Sequence, residues 1–371
     1  MTEMQVAVTG SSGFIGSNLR VALSETTDLV PIEVTRTTSE AELEAAVLKA
    51  DVIVHLAGAN RPADPNDYEA INVGLTRRVC DLLSAANRSI PLIVASSARA
   101  GERTPYGESK EGAEAIVRRY GAEQGAITAI YRLPNVFGKW SRPNYNSAVA
   151  TFCYNTVHGM PLTVHDRGAK IRLVYVDDVV ADIIAFLRAP ETPEQFRDVK
   201  PVYETDVGTL ADTIQGFGSG SDSLKVDDVG AGLVRALYAT YVSYLPPERF
   251  SYPLTKHEDE RGYFAEILKT NRCGQISVFS AHPGVTRGGH YHHSKTEKFV
   301  VVGGEARFKF RHILTGAVHE IVASDRSPIV VETVPGWAHD VTNIGKGMLY
   351  CLVWANENFD PARPDTIRHE V

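Results

Sequence analysis

A short apolar run, Gln5 to Thr9, ends in GSSGFIGSNL, which spaces Gly10, Gly13 and Gly16 as G-x-x-G-x-x-G ahead of an amphipathic segment. Strand, glycine turn and helix in that order leave few alternatives. The glycines permit a turn that presents backbone N–H groups and the positive end of the helix dipole to a pyrophosphate. Gly10, Gly13, Phe14, Ile15 and Gly16 are therefore the first candidate dinucleotide-binding residues. Downstream, apolar runs at 30–34, 52–56 and 92–95 alternate with helical patterns at 40–49 and 72–84. That alternation predicts a doubly wound, parallel α/β sheet of Rossmann type.

The residues at the ends of these runs narrow the ligand. The second run leads into Thr35 and Arg36 with no acidic residue at its very end to hold ribose hydroxyls, and Arg36 can pair with a 2′-phosphate, which favours NADPH. The third run ends in Leu56, Ala57 and Gly58, small enough at its tip for a cofactor to approach the sheet. His55, inside that run, reads as a core histidine with its hydrogen bonds satisfied. After the fourth run comes Ser97, and nine residues later Tyr106 opens YGESK. Tyr106 and Lys110, four apart on a helix, lie one turn above each other, so the ammonium is expected to lower the phenol's pKa. With Ser97 on the same oxygen, the trio offers a proton donor and an orienting hydroxyl to a carbonyl that accepts hydride. Further on, KWSRPNYNS is polar, aromatic and basic. Arg142, Asn144 and Arg172 are candidates to engage a sugar diphosphate, through planar donors for phosphate and amides for hydroxyls.

At 371 residues the chain exceeds what one core usually supports, so two domains are expected, 1–246 and 247–371, joined by a linker at 244–253. A net charge of −7 argues against a nucleic-acid partner. Four scattered cysteines suit a reduced, cytoplasmic protein, and no run of about 18 apolar residues indicates a membrane span.

Past residue 253 the pattern shortens to alternating runs divided by glycine and proline, the mark of an all-β barrel or sandwich. Within it, His290 and His292 share one strand face, Glu297 returns from the next strand, and His339 joins from a separate one. Three imidazoles and a carboxylate suit Zn²⁺ and also iron, manganese or nickel; Zn²⁺, one per chain, is favoured because nothing in the sequence requires redox metal chemistry.

TGSSGFIG, HLAG, the Asn72 segment, Ser97 with YGESK, RLPNVFG and VYVDDVV together resemble the extended short-chain dehydrogenase/reductase family over residues 4–245. The resemblance implies a catalytic Ser97, Tyr106 and Lys110, and places Asn135 where the nicotinamide and sugar pockets meet. One departure is visible. Only a short helix separates the second run from Val52, so the usual third strand is expected to be missing. GVTRGGHYHHSKTEKFVVVGG fits the first cupin signature, and PGWAHDVTN keeps the second motif's Gly336, His339 and Asn343 spacing. The jelly-roll cupin domain further resembles sugar-nucleotide 3,5-epimerases, which implies that Arg261 and Arg287 hold the diphosphate. Because His290 is committed to metal, the proton is left to a neighbour such as Lys298, His293 or Tyr291. Reductase plus metal cupin is similar to the bifunctional capsular-polysaccharide enzymes of UDP-N-acetyl-L-fucosamine synthesis. That likeness implies a UDP-4-keto-6-deoxy amino sugar substrate, C3 epimerisation before NADPH-dependent reduction, and a homodimer.

Overall fold

The computed structural model describes residues 3–190, 196–218, 224–226, 228–254, 257–259, 262–264, 269–270, 274–357 and 362–371. Arg261 lies outside the described residues. The chain divides into two compact units, Met1–Ser147 with Ile171–Glu204, and Ala148–Lys170 with Thr205–Val371.

In unit 1 the apolar runs form a five-stranded parallel sheet from β1 (Met4–Thr9), β2 (Leu29–Val34), β3 (Val52–His55), β4 (Leu92–Ser97) and β5 (Thr128–Leu133), in the order β2-β1-β3-β4-β5. Period-2 alternation sorts their side chains. Val6, Val8, Val54, Ile93 and Tyr131 pack with α1 (Phe14–Ser24) and α6 (Val176–Arg188). Ala7, Ile53, Val94 and Ile130 pack with α2 (Glu40–Lys49), α3 (Leu75–Ala85) and α4 (Pro105–Gln124). Each fully buried Val, Leu or Ile contributes about 1.5–3 kcal/mol, so two such faces account for a stable Rossmann sheet. No strand intervenes between β2 and β3 beyond α2, as the short spacing predicts. Helix α3 is preceded by a π-helical stretch, Tyr68–Gly74, so the helix expected from Asn72 begins irregularly. A second sheet orders β6 (Asn135–Phe137), β7 (Lys170–Tyr175) and β8 (Tyr203–Asp206).

Unit 2 contains α5 (Ala148–Val157), α7 (Val207–Phe217), the helix Gly232–Val242 and the β domain. Short pairs β9 (Lys225–Val226) with β13 (Lys269–Thr270), and β11 (His257–Asp259) with β12 (Gly262–Phe264), flank two larger sheets. One is β10-β19-β16-β21-β14, from Ser251–Pro253, Ile329–Glu332, Glu297–Gly303, Leu349–Ala355 and Gln275–Ala281. The other is β18-β17-β20-β15-β22, from Val318–Ser324, Glu305–His312, Trp337–Asn343, Thr286–Tyr291 and Ile367–Arg368. This is the expected double-sheet cupin.

The segment expected to be a linker is instead part of that fold. Phe250 is fully buried, with Trp337 and Phe310 edge-on at 5.1 and 5.6 Å, and Ser251–Pro253 pairs with β19. An aromatic that fills a core cannot swing in a linker. The helical segments before it go with the β domain, so the division falls elsewhere than after residue 246.

Candidate functional site

In unit 1 the candidates gather at the carboxyl ends of the parallel strands, the usual ligand edge of such a sheet. Gly10 adopts φ +69°, and a Cβ there would sit 2.8 Å from the Ala57 nitrogen, so this glycine lets the β1 turn press against the tip of β3. Leu56–Gly58 thus lie beside the glycine turn. Arg36, exposed, follows β2 by two residues. The N-cap of α1 is Gly13, which has no side-chain cap, and no acidic residue occupies the first turn. The N–H groups of that turn therefore meet no side-chain anion of their own, an arrangement that fits a dinucleotide pyrophosphate.

Helix α4 carries the proton donor. Thr104 caps it by accepting from the Gly107 N–H at 3.1 Å, Pro105 begins it, and Gly125 ends it at φ +64°. Tyr106 is set in the first turn, edge-on to Tyr68 at 5.7 Å. Burial pushes its phenol up, while a Ser97 hydrogen bond and the Arg99 charge pull part of the way back. The expectation that Lys110 would lower this phenol is thereby corrected: the Lys110 ammonium donates to the Ala95 carbonyl at 3.2 Å. Burial pulls Lys110 down to about 8, with Glu114 opposing. Asn72, whose segment is one of those that carry the family resemblance, is buried, accepts from the Ala59 N–H at 2.7 Å and donates to Ser109 Oγ at 2.9 Å. A π-helical turn holds it there, and such a turn is not encoded in a simple period. His55 is a satisfied core residue, between Thr9 Oγ1 at 2.7 Å and Thr76 Oγ1 at 3.0 Å.

Asn135 is exposed and donates to the Arg172 carbonyl at 3.1 Å. The Arg172 guanidinium turns to Glu204 at 3.2 Å. Arg142 lies over the Tyr145 ring at 5.4 Å, and Asn144, at φ +53°, belongs to the same exposed loop.

In unit 2 the four expected ligands converge. The ligating atoms of His290, His292, Glu297 and His339 all lie within 4.8 Å of one another. A bulge at Gly288–Gly289, with φ of +102° and +75°, re-aims β15 so that His290 stands opposite His339. Glu297 Oε2 is 3.0 Å from His292 Nε2 and 3.5 Å from His339 Nε2. Burial would push the Glu297 carboxyl up, but the His292 and His339 rings hold it well below the usual range. Burial and the neighbouring rings pull His290 down to about 3, and burial lowers His339. Among the described residues, neither buried ring nitrogen of His339 finds a hydrogen-bond partner. Two imidazoles, His290 and His339, whose charged forms burial disfavours, together with His292 and an ionised carboxylate fit a divalent transition-metal ion.

The cluster's surroundings hold two residues that sequence reasoning missed. Lys295 Nζ lies 3.6 Å from Glu297 Oε1 and donates to Thr366 Oγ1 at 3.0 Å. Asp365 accepts from the N–H groups of His293, Ser294 and Lys295 at 2.7–2.8 Å, and its carbonyl meets His292 Nδ1. It fixes both the turn after β15 and the orientation of a ligand ring. Asp365→Ala is therefore expected to weaken divalent-metal affinity about 10–100-fold, read by competition with a chromophoric chelator. Unchanged affinity would leave Asp365 a loop-packing residue.

Two of the three proposed proton movers, Lys298 and Tyr291, stand elsewhere. Lys298 follows Glu297 on β16 and so points to the opposite face, where it pairs with Glu332 and, at 3.2 Å, Tyr252. Tyr291 likewise alternates away from His290 and His292, and its ring meets His293 and His369 at 5.6 and 5.8 Å. Arg287 is exposed, donates to the Ser280 carbonyl at 3.2 Å and covers Phe279. Asn343 is structural, tying Ala281 and Gly347 carbonyls together at 2.9 Å.

A glycine-turn Rossmann sheet with a Ser-Tyr-Lys trio defines a nicotinamide-dependent enzyme class, and residues 6–200 match the NAD dependent epimerase/dehydratase family. The chain belongs to that family. Residues 257–367 match the polysaccharide biosynthesis C-terminal domain. The chain is 48% identical over 363 residues, 98% of each protein, to UDP-2-acetamido-2,6-beta-L-arabino-hexul-4-ose reductase of Pseudomonas aeruginosa. It is 40% identical to the capsular polysaccharide assembling protein CapF of Staphylococcus aureus, covering 99% of this chain and 100% of that one with a TM-score of 0.69. A UDP-N-acetylglucosamine 4-epimerase from Bacillus cereus shares the fold alone, at 22% identity over 59% of this chain and 83% of that one, TM-score 0.52. Among the described residues, no helix is long and apolar enough to cross a membrane.

Proposed function

We propose that this chain works twice on one transient ketone. Unit 2 inverts carbon 3 of UDP-2-acetamido-2,6-dideoxy-4-hexulose, and unit 1 then reduces the 4-keto group with NADPH to the UDP-2-acetamido-2,6-dideoxy-L-talose sugar used for capsular polysaccharide. The observation that carries this reading is the pairing, in one chain, of the Ser97–Tyr106–Lys110 trio with the His290–His292–Glu297–His339 cluster. The full-length likeness to a 4-keto-sugar reductase supports it. The order follows from chemistry, because the proton on carbon 3 is acidic only while the adjacent carbonyl survives.

The dinucleotide supplies the hydride. Tyr106 gives its phenolic proton to the developing alkoxide and Ser97 hydrogen-bonds the same oxygen, while Lys110, one turn on and held to the Ala95 carbonyl, is assigned to the cofactor side of the trio. Arg36 is assigned to the 2′-phosphate, and Asn135, Arg142, Asn144, Arg172, Arg261 and Arg287 to the sugar nucleotide. His290, His292, Glu297 and His339 would hold one Zn²⁺, which supplies Lewis-acid polarisation of the ketone when bound. Lys295 holds Oε1 of Glu297, leaving Oε2 facing the imidazoles.

The buried, unpaired Cys80, Cys153 and Cys351 support a cytoplasmic location. A homodimer is supported by an apolar stripe on an edge of the cupin sheet, Ile276 and Val278 at 64% and 63% exposure beside Tyr350. Incubation with the 4-keto sugar, NADPH and deuterated water, followed by NMR of the product, tests both reactions at once. A product mixture with no cofactor oxidised and no label at carbon 3 would defeat the reading.

A further inference from the structure

Lys110 has a second neighbour besides Tyr106. One turn before it stands the phenol, and one turn after it stands Glu114, a carboxylate with no exposed surface. Glu114 is fixed from two strands: Ser96 Oγ of β4 donates to Oε1 at 2.5 Å, and Arg132 of β5 donates from Nε and Nη2 to the two oxygens at 2.9 and 2.7 Å. Such a two-pronged guanidinium contact is the partner of an ionised carboxylate. Lys110 and Glu114 both line a cavity of about 10 Å³ with His55, Asn72, Thr76 and Ser96. That is room for a single water, and the walls offer the donors and acceptors it needs.

We propose that Glu114 is a positioning residue for the reduction: held by Ser96 and Arg132, its carboxylate keeps the Lys110 ammonium charged and drawn to the sheet through the one-water cavity they share. The inference rests on Tyr106 and Lys110 carrying that reduction.

The Ala95 carbonyl of β4 accepts from the ammonium at 3.2 Å but carries no charge, and the other groups facing Lys110 cannot keep it charged either. His55, from β3, is pulled down to about 3 by burial and by the Lys110 charge, so it is neutral at working pH. Asn72, Thr76 and Ser96 carry no charge, Tyr106 must remain a phenol to donate, and the Arg132 cation lies behind Glu114. Burial already brings Lys110 down to about 8, and Glu114 opposes that fall. The ammonium is present below this value and lost as pH rises through it. Without Glu114 the loss begins at lower pH.

The test uses the full chain and the rate of NADPH oxidation with the 4-keto sugar from about pH 6 to about pH 10. In Glu114→Gln the alkaline limb is expected to move down by about one pH unit or more, the size of effect a nearby opposite charge exerts. Arg132, whose side chain is 35% exposed, can turn to water once unpaired. Should this variant fail to fold, Glu114→Gln with Arg132→Met removes both charges and is expected to displace the limb in the same direction by a smaller amount. Independently of turnover, the ¹³Cε-lysine NMR titration of the cofactor-free protein, assigned with Lys110→Arg, is expected to move in the same direction. A folded variant whose limb and Lys110 resonance both stay in place overturns the proposal. A displaced resonance in a protein that never oxidises NADPH upholds the coupling and overturns the reductase reading instead.

Discussion

Tyr106→Phe is expected to cut NADPH oxidation by about 10²- to 10⁴-fold, the usual worth of a positioned general acid, while leaving solvent deuterium exchange at carbon 3 intact. The substitution removes one oxygen and keeps the ring, so the edge-on contact with Tyr68 at 5.7 Å and the Thr104 cap of α4 both survive. What disappears is the proton that the alkoxide needs as hydride arrives. Because burial holds the phenol above its ordinary value, the group is protonated and ready to donate at neutral pH. On the proposed reading, exchange at carbon 3 falls to the histidine cluster, in the other unit. Cofactor consumption followed at 340 nm and exchange followed by ¹H NMR therefore separate the two reactions in one variant. Loss of exchange in a folded Tyr106→Phe protein would show that the same residue serves both, and the division of labour between units would be wrong.

What was legible in the sequence was whatever depends on short spacing. The three glycines before α1, the i, i+4 relation of Tyr106 and Lys110, and the i, i+2 relation of His290 and His292 each encode geometry within one turn or one strand. The apolar alternation that sorts Val6 from Ala7 onto opposite faces is equally local. Less legible were roles created by chain return. Asp365 sits some 70 positions from the turn it ties, and nothing in PARPDTIRHE marks it as an organiser of His292. Glu114 gains its importance only once β4 and β5 bring Ser96 and Arg132 to it. The limits of the β domain were also hidden, since Phe250 within LPPERFSYP reads as one aromatic in a proline-rich connector until Trp337 and Phe310 close around it. Lys298 was misread because adjacency in sequence is opposition on a strand: what stands beside Glu297 in the chain faces away from it in the sheet.

That opposition sharpens what removal of a ligand should do. Glu297→Gln and His339→Ala are each expected to leave the purified protein with little bound metal and to lose exchange at carbon 3, while NADPH oxidation of a substrate already epimerised at carbon 3 persists. Four-ligand zinc sites bind with about 10–16 kcal/mol, so losing one donor of four forfeits about 2.5–4 kcal/mol, on the order of 10²- to 10³-fold in affinity. The two variants fail for different reasons. Glu297 is the cluster's only carboxylate, and its loss leaves three imidazoles with no negative charge to offset a dication. His339 is a buried ring whose polar neighbour among the described residues is Glu297 Oε2 at 3.5 Å, so its truncation sacrifices a metal contact and one support of the Glu297 carboxylate. Metal content by mass spectrometry and unfolding temperature with and without chelator read the site directly. The wild type should lose thermal stability to the chelator, because an ion that binds only the folded chain stabilises it, and the variants should show little response. Full exchange by a metal-free variant would leave the ion a structural brace and move the carbon 3 chemistry to other side chains of the barrel.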